Sequence, residues 1–256
     1  MSSAPPYPTG HQLLEHKRVL VTAAAGTGIG FATAKRCAEE GATVAISDKH
    51  ERRLAESAER LAEVMGAMPV AVPCDVTVES DVQAMFDAVG DFDVLINNAG
   101  LGGTAELVDM TDEQWTRVLD ITLNGTMRCT REALKRLKAS GHGGAIVNNA
   151  SVIGWRAQVG QAHYAAAKAG VMALTRTAAV EAIEYGVRVN AVAPSLAMHE
   201  NLAKVTTEEL LAELTAREAF GRAAEPWEVA NVIIFLASDY ASYLTGEVIS
   251  VSSQHP

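Results

Sequence analysis

Short apolar runs alternate along the chain with longer stretches in which Ala, Leu and Val recur every three or four positions among charged residues. The first kind predicts strands and the second predicts helices. Strands are expected over 18–22 (RVLVT), 43–47 (TVAIS), 70–73, 93–96, 145–148, 187–192 (VRVNAV) and 247–251. Helices are expected from the turn after 22 to about 40, then over 51–65, 81–89, 164–184, 206–219 and 226–237. A long helical region, broken near Gly125, is expected to run towards Lys138, opened by Thr111 with Gln114 three residues on, the spacing of a capping box. Several strand runs are continuously apolar rather than alternating, so they are buried on both faces. Strands alternating with helices, without internal repeats, predict an α/β fold: one single-domain, doubly wound parallel sheet with helices on both faces. Residues 1–10 are rich in Ser, Pro and Gly and predict a loose tail, so the domain is expected over 17–256 behind a flexible segment 1–16.

Composition narrows the classes of function. The chain has 256 residues, 48% hydrophobic and 20% charged, enough for a large core. The formal net charge is -10 with no basic stripe, which argues against nucleic acid as a partner. No uncharged apolar run approaches the roughly 20 residues of a membrane helix; the most apolar, 232–237, is far too short. Cys37, Cys74 and Cys129 lack metal or disulfide spacing and read as small core residues. An odd cysteine count without a secretory leader fits the cytoplasm.

Candidate chemistry gathers where strands end. Tyr164 and Lys168 stand one turn apart on one helix face, and Ser151 follows the strand at 145–148. A phenol beside an ammonium is expected to have a lowered pKa and to pass a proton to or from a substrate oxygen, which Ser151 can hold. With five Tyr in the chain, a chance Tyr/Lys pair is the bland alternative. Between the first strand and its helix lies Thr22-Ala23-Ala24-Ala25-Gly26-Thr27-Gly28-Ile29-Gly30. Glycines there let backbone N–H groups approach a pyrophosphate at a helix N-terminus, although Phe31 replaces the last glycine of the G-x-G-x-x-G spacing. Asp48 ends the second strand, about 20 residues beyond the loop, where a carboxylate bonds both ribose hydroxyls of NAD and repels a 2′-phosphate. The alternative is an N-cap for the next helix, and nearby Lys49, Arg52 and Arg53 leave NADP open.

Taken in order, these features resemble the short-chain dehydrogenases/reductases from about residue 17 to 251. The matching residues are Gly28-Ile29-Gly30, Asp75-Val76, Asn97-Asn98-Ala99-Gly100, Ser151, Tyr164 with Lys168, and Arg188-Val189-Asn190-Ala191-Val192-Ala193-Pro194. Later runs, Gly221-Arg222, Glu225-Pro226 and Phe235-Leu236-Ala237-Ser238-Asp239, are also similar. The resemblance implies a Rossmann-type fold and hydride transfer between a nicotinamide and a carbonyl or alcohol. Tyr164 would be the general acid/base, Lys168 would lower its pKa and hold the nicotinamide ribose, and Ser151 would position the substrate oxygen. Thr22, Thr27, Gly28, Ile29 and Gly30 would cradle the pyrophosphate. Asp75 and Val76 would lie by the adenine, Asn98, Ala99 and Gly100 would line the cofactor channel, and Pro194 and Ala197 would flank the nicotinamide. A homo-oligomer, as a tetramer, and a small-molecule substrate are further implications.

Four departures stand out from that resemblance. The family loop is T-G-x-x-x-G-x-G. Counting back from Gly28 puts Ala24 and Ala23 in the first two places; alternatively Thr22 is retained and the loop is one residue longer, with Gly26 as the extra flexible point. Thr122 stands where the family has a catalytic Asn, with Asn124 two residues on, so a water relay behind Lys168 is either rebuilt on the Thr122 hydroxyl or absent in its usual form. The family's P-G is Pro194-Ser195, and its terminal D-G-G is replaced at Ser252-Ser253. These departures are similar to those of an actinobacterial branch acting on CoA thioesters from steroid ring breakdown, implying NAD and an acyl-CoA-linked cyclic substrate. Residues 195–220 would form the substrate lid, in which His199 lies. Lys204, Arg217 and Arg222 are candidates for a CoA phosphate, with solvated helix charges as the alternative. Trp155 and Arg156 are candidate pocket walls, and His163 reads as a helix neighbour rather than a second base. Two other readings stand beside this one: a fatty-acid-type 3-oxoacyl-thioester reductase, and a nucleotide-binding regulator without catalysis.

Overall fold

The computed structural model describes residues 3–198 and 208–253. Seven strands, β1 (Arg18–Val21), β2 (Thr43–Asp48), β3 (Val70–Pro73), β4 (Val94–Asn97), β5 (Gly144–Asn149), β6 (Val187–Pro194) and β7 (Val248–Val251), form one sheet. Its order is β3-β2-β1-β4-β5-β6-β7 and every pairing is parallel. The strand order reverses between β1 and β4, and in such sheets ligands bind at the carboxyl ends beside that point.

The continuous apolar runs are explained by the two cores. Val19 and Val21 of β1 pack with Ile46 and Ile96 on one face, beneath α1 (Ile29–Glu39), α2 (Glu51–Met65) and the C-terminal helix. Leu20 between them packs with Leu95 and Ile146 on the other, beneath α3 (Glu79–Val89), α5 (Gly125–Ser140) and α6 (Ala162–Ala182). Residues of the central strands are therefore buried whichever way they point, each large side chain contributing about 1.5–3 kcal/mol, while the edge strands β3 and β7 stay partly exposed.

The expected break near Gly125 has a defined form. α4 (Asp112–Leu119) opens on the Thr111/Gln114 capping box and runs into one π-helical turn, Asp120–Asn124, before α5. The wider turn carries Leu123 against Gly170 of α6, where a Cβ would stand 2.8 Å from it. Gly170 thus serves packing inside the chain.

The segment before β1 differs from the expected loose tail. Leu14 is fully buried, and the N–H groups of His11 and Leu13 both donate to Glu40 Oε2, at 2.7 and 3.1 Å. Glu40 in turn pairs with buried Arg36 at 2.5 Å. One apolar anchor and one buried carboxylate fasten a stretch whose composition is otherwise that of a coil.

In the expected lid, α7 (Glu208–Ala216) ends before the predicted limit at 219, and α8 (Pro226–Ala237) matches its prediction. His199 and Lys204 lie outside the described residues. Among the described residues no helix is long and apolar enough to cross a membrane.

Candidate active site

Ser151 lies just past β5, and its Oγ accepts the Ile153 N–H at 3.2 Å, which fixes the side chain at the head of a short 3-10 turn. That turn packs closely on α6: a Cβ on Gly154 would lie 2.8 Å from Met172 Cε and 3.1 Å from the Lys168 carbonyl carbon. The close approach brings Ser151 to Tyr164, and their hydroxyls hydrogen-bond. Lys168 is 3% exposed; its Nζ donates to the Asn149 carbonyl at 2.5 Å and stands 5.5 Å from the centroid of the Tyr164 ring. The three residues predicted to act together are together.

The electrostatics differ from the expectation. Burial pushes the Tyr164 phenol up to about 12, with the Ser151 hydrogen bond acting in the opposite sense. Burial also lowers Lys168 to about 8. The ammonium faces the ring and the Asn149 carbonyl, so within the chain it does not bring the phenol down. At neutral pH the arrangement is a protonated phenol beside a protonated but readily deprotonated amine: a proton donor with a cation ready to meet the phenolate left behind. Asn149 had no assigned role from sequence. Its carbonyl holds Lys168 and its Nδ2 donates to Asn98 Oδ1 at 2.9 Å, linking the chemistry to the strand beside it.

Thr122 is engaged by a main-chain segment. Its hydroxyl donates to the Leu101 carbonyl at 3.2 Å and accepts the Leu101 N–H at 3.0 Å, so it ties down the segment after β4. Asn124 turns to Asp120, its Nδ2 donating at 3.1 Å.

On the other side of the switch point the glycine loop settles the alignment left open by sequence. Thr22 Oγ1 accepts the N–H groups of Asn98 and Ala99 at 3.0 and 3.3 Å, joining the ends of β1 and β4. Ala23 takes the left-handed conformation, φ +49°, and Gly26 follows with φ +102°. Thr22 is therefore the loop's first residue, and the loop is one residue longer. Gly30 admits no side chain, since a Cβ would lie 2.3 Å from the Ala23 carbonyl oxygen and 2.4 Å from Asn98 Nδ2. Ala24 N–H donates to the Ser47 carbonyl, Ala25 N–H to Asp48 Oδ2 and Gly26 N–H to Ser57 Oγ. An anion in front of α1 is left to the N–H groups of Thr27, Gly28, Ile29 and Gly30. The helix start has no capping side chain and no acid in its first turn. These are the features of a phosphate site, and they fit a dinucleotide pyrophosphate.

Asp48 is not the N-cap of α2, which is His50. Asp48 Oδ1 accepts the His50 N–H at 2.9 Å, supporting the start of α2, while Oδ2 reaches the loop. Asp75 accepts from Thr77 N and Oγ1 at 3.0 and 2.8 Å; burial acts to raise its carboxyl, and these bonds outweigh it and keep the carboxyl low. Val76 packs over Gly125, and Gly100 lies near both Lys168 and Thr122. Pro194 ends β6, and Ala197 bridges to Ala224.

The remaining candidates divide. Arg222 donates to both Glu228 carboxylate oxygens at 2.6 and 2.8 Å, so its guanidinium is engaged within the chain rather than offered to a phosphate. Arg217 pairs with Glu213 on the exposed side of α7. His163 Nδ1 accepts the Tyr164 N–H at 2.9 Å, a helix-end role. Trp155 stands half exposed. One cluster was invisible in sequence: Ser195 and Ser253 both donate to Oε2 of buried Glu218, at 3.1 and 2.7 Å. Two of the departures thus meet at one carboxylate, which joins the end of β6, Ser253 and the segment before α8. A separate cavity of about 460 Å³ opens at the amino ends of the strands beside Lys17, His142 and Arg188, away from these groups.

Comparison with known proteins agrees with this geometry. A family model described as enoyl-(acyl carrier protein) reductase matches residues 23–253. The chain is 61% identical over 260 residues to a Mycobacterium tuberculosis (strain ATCC 25618 / H37Rv) protein named (5R,7aS)-5-hydroxy-7a-methyl-1-oxo-2,3,5,6,7,7a-hexahydro-1H-indene-carboxyl-CoA reductase, covering 100% of this chain and 99% of that one. A short chain dehydrogenase from Mycobacterium smegmatis superposes with a TM-score of 0.88 at 57% identity, covering 99% of both chains. L-sorbose reductase from Gluconobacter frateurii, complexed with NADPH and L-sorbose, superposes with a TM-score of 0.90 at 29% identity, covering 96% of this chain and 98% of that one. The chain belongs to the short-chain dehydrogenase/reductase family and is an oxidoreductase that works with a nicotinamide cofactor.

Proposed function

We propose that the protein reduces a ring ketone on a CoA thioester of a fused bicyclic, steroid-derived substrate, with NADH as the preferred reductant. The carrying observation is the full-length 61% identity to the hexahydroindene-carboxyl-CoA reductase, joined to a site that holds a proton donor and a buried cation.

Ser151, fixed by Ile153, orients the ketone oxygen against the Tyr164 hydroxyl. When bound, the reduced nicotinamide supplies the hydride. Tyr164 gives its proton to the oxygen as charge develops there, and Lys168 and Ser151 stabilise the phenolate that remains. The protonated state of Tyr164 at neutral pH suits it to the reducing direction. Asp48 retains lone pairs for the two ribose hydroxyls and repels a 2′-phosphate, which supports NADH. Thr27 to Gly30 hold the pyrophosphate, with Thr22 fastening the loop to the segment after β4; Asp75 and Val76 border the adenine, and Asn98 to Gly100, Pro194 and Ala197 line the nicotinamide end. Residues 195–220 cover the substrate. Exposed Val180, Ile183, Phe235, Tyr240 and Tyr243 support a homo-oligomer, as a tetramer, and three buried free thiols support the cytoplasm.

A second reading has its own observation. Lys49, His50, Glu51, Arg52 and Arg53 line an open hollow directly after Asp48, where three cations outnumber the one carboxylate, which favours a 2′-phosphate. Parallel assays of NADH and NADPH against a bicyclic ketone CoA ester and a straight-chain 3-oxoacyl-CoA separate the two. NADH turnover with the bicyclic ester is expected. Faster NADPH turnover of the straight chain contradicts the proposal and favours the fatty-acid type.

A further inference from the structure

The loop between β1 and α1 is held from outside by helix α2. At Gly26 the N–H donates to Ser57 Oγ and the carbonyl accepts from Arg60 Nη1, both at 3.0 Å. Both polar groups of this one residue are thereby engaged. Ser57 and Arg60 lie three residues apart, on one face of α2. Ser57 is buried, where a hydroxyl needs a partner, and Gly26 supplies it. Arg60 is exposed, yet its guanidinium stacks 3.8 Å from the centroid of the Phe31 ring in the first turn of α1. Gly26 itself has φ +102°, and a Cβ there would meet nothing within 4 Å. The residue faces open space and is held only through its backbone.

We infer that Ser57 and Arg60 are positioning residues for the dinucleotide. They fold the extra residue of the loop outward onto α2, so that the N–H groups from Thr27 to Gly30 stand clear to meet the pyrophosphate. A loop already held in this shape loses less conformational freedom when the ligand arrives, which strengthens binding without a direct contact. The inference rests on the family's nicotinamide dinucleotide and is independent of the substrate proposed above.

The test is a deletion. Without Gly26 the loop reads Thr22-Ala23-Ala24-Ala25 followed directly by Thr27-Gly28-Ile29-Gly30, the shorter family length, and the clamp has nothing left to hold. NADH and NADPH dissociation constants are measured by fluorescence titration of the protein, with thermal unfolding in parallel. In the full-length loop, Ser57→Ala and Arg60→Ala each raise the dissociation constant about fivefold or more, the scale of one lost hydrogen bond with a stranded partner. In the Gly26-deleted background the same substitutions change it less than about twofold. Equal effects in both backgrounds overturn the inference, because Arg60 would then touch the dinucleotide itself. An unchanged constant in the full-length loop also overturns it. Should the deletion not fold, Ser57→Thr decides: it keeps the hydroxyl, so near-normal binding beside a weakened Ser57→Ala supports the clamp, and equal weakening of the two overturns it. Absence of binding of either nucleotide to the unsubstituted protein would instead strike at the nicotinamide reading.

Discussion

Two cations in this molecule, Arg36 and Lys168, are both 3% exposed, and their surroundings are opposite. Arg36, on the face away from the chemistry, donates to Glu39 and Glu40, to Asn231 Oδ1 and to the Pro8 carbonyl. Burial acts to lower its pKa, but the carboxylates outweigh that and hold it above its ordinary value. Lys168 has the Asn149 carbonyl and the face of a tyrosine ring, and burial carries it down to about 8. A fully partnered buried cation holds the fold together. A cation buried against neutral groups alone raises the energy of the resting protein, and such a group marks a site where charge is expected to appear. In the function proposed above, that charge is the phenolate of Tyr164.

The sharpest way to break the comparison is at the proton donor. Tyr164→Phe removes the proton and leaves the packing, so kcat for ketone reduction should fall by about 10²–10⁴-fold while NADH affinity stays within about twofold. Retained turnover would remove Tyr164 from the chemistry. At the structural cation, Glu40→Ala strips a carboxylate from Arg36 and strands the N–H groups of His11 and Leu13. Removing one partner of such a buried pair costs about 3–5 kcal/mol, read as a lower urea midpoint. A loss below about 1 kcal/mol would show that Glu39 alone suffices. The smallest effect is expected at Thr122→Val, which frees both backbone groups of Leu101. We expect about 1–2 kcal/mol of lost stability and a raised KM for the ketone with kcat little changed. A collapse of kcat would restore a catalytic role to the hydroxyl.

The two regions were not equally legible. Strands β1, β4, β5 and β6 could be read because both their faces are buried along most of their length. Ser151, Tyr164 and Lys168 could be read because a strand end and one helical turn place them by local geometry. Asp48 and the glycine loop could be placed, but the loop's extra residue became clear only from the left-handed Ala23 and the bonds Gly26 makes to α2. Contacts joining residues far apart in the chain left no local pattern. Glu40 gripping His11 and Leu13, and Glu218 gathering Ser195 and Ser253, are of this kind. The pKa of Tyr164 was misjudged for the same reason: spacing puts an ammonium near a phenol, but only the packing shows that it turns to the Asn149 carbonyl and that both groups are desolvated.

The most direct test of the account is the pH dependence of unfolding for the cofactor-free protein and its Lys168→Met variant. Lys168 at about 8 in the folded chain, against an ordinary 10.5, means that below pH 8 the native state holds a disfavoured charge. Between about 8 and 10.5 the unfolded chain binds the extra proton, so the native protein gains stability as pH rises. Tyr164 is raised in the opposite sense, losing stability above about 10, but it is present in both proteins and cancels in the difference. We predict that Lys168→Met is more stable than the parent by about 1–3 kcal/mol at neutral pH, net of the lost bond to Asn149, and that the gap closes as pH approaches 10. A variant less stable at neutral pH, or a gap that does not move with pH, would contradict the claim that Lys168 is a strained charge held for catalysis.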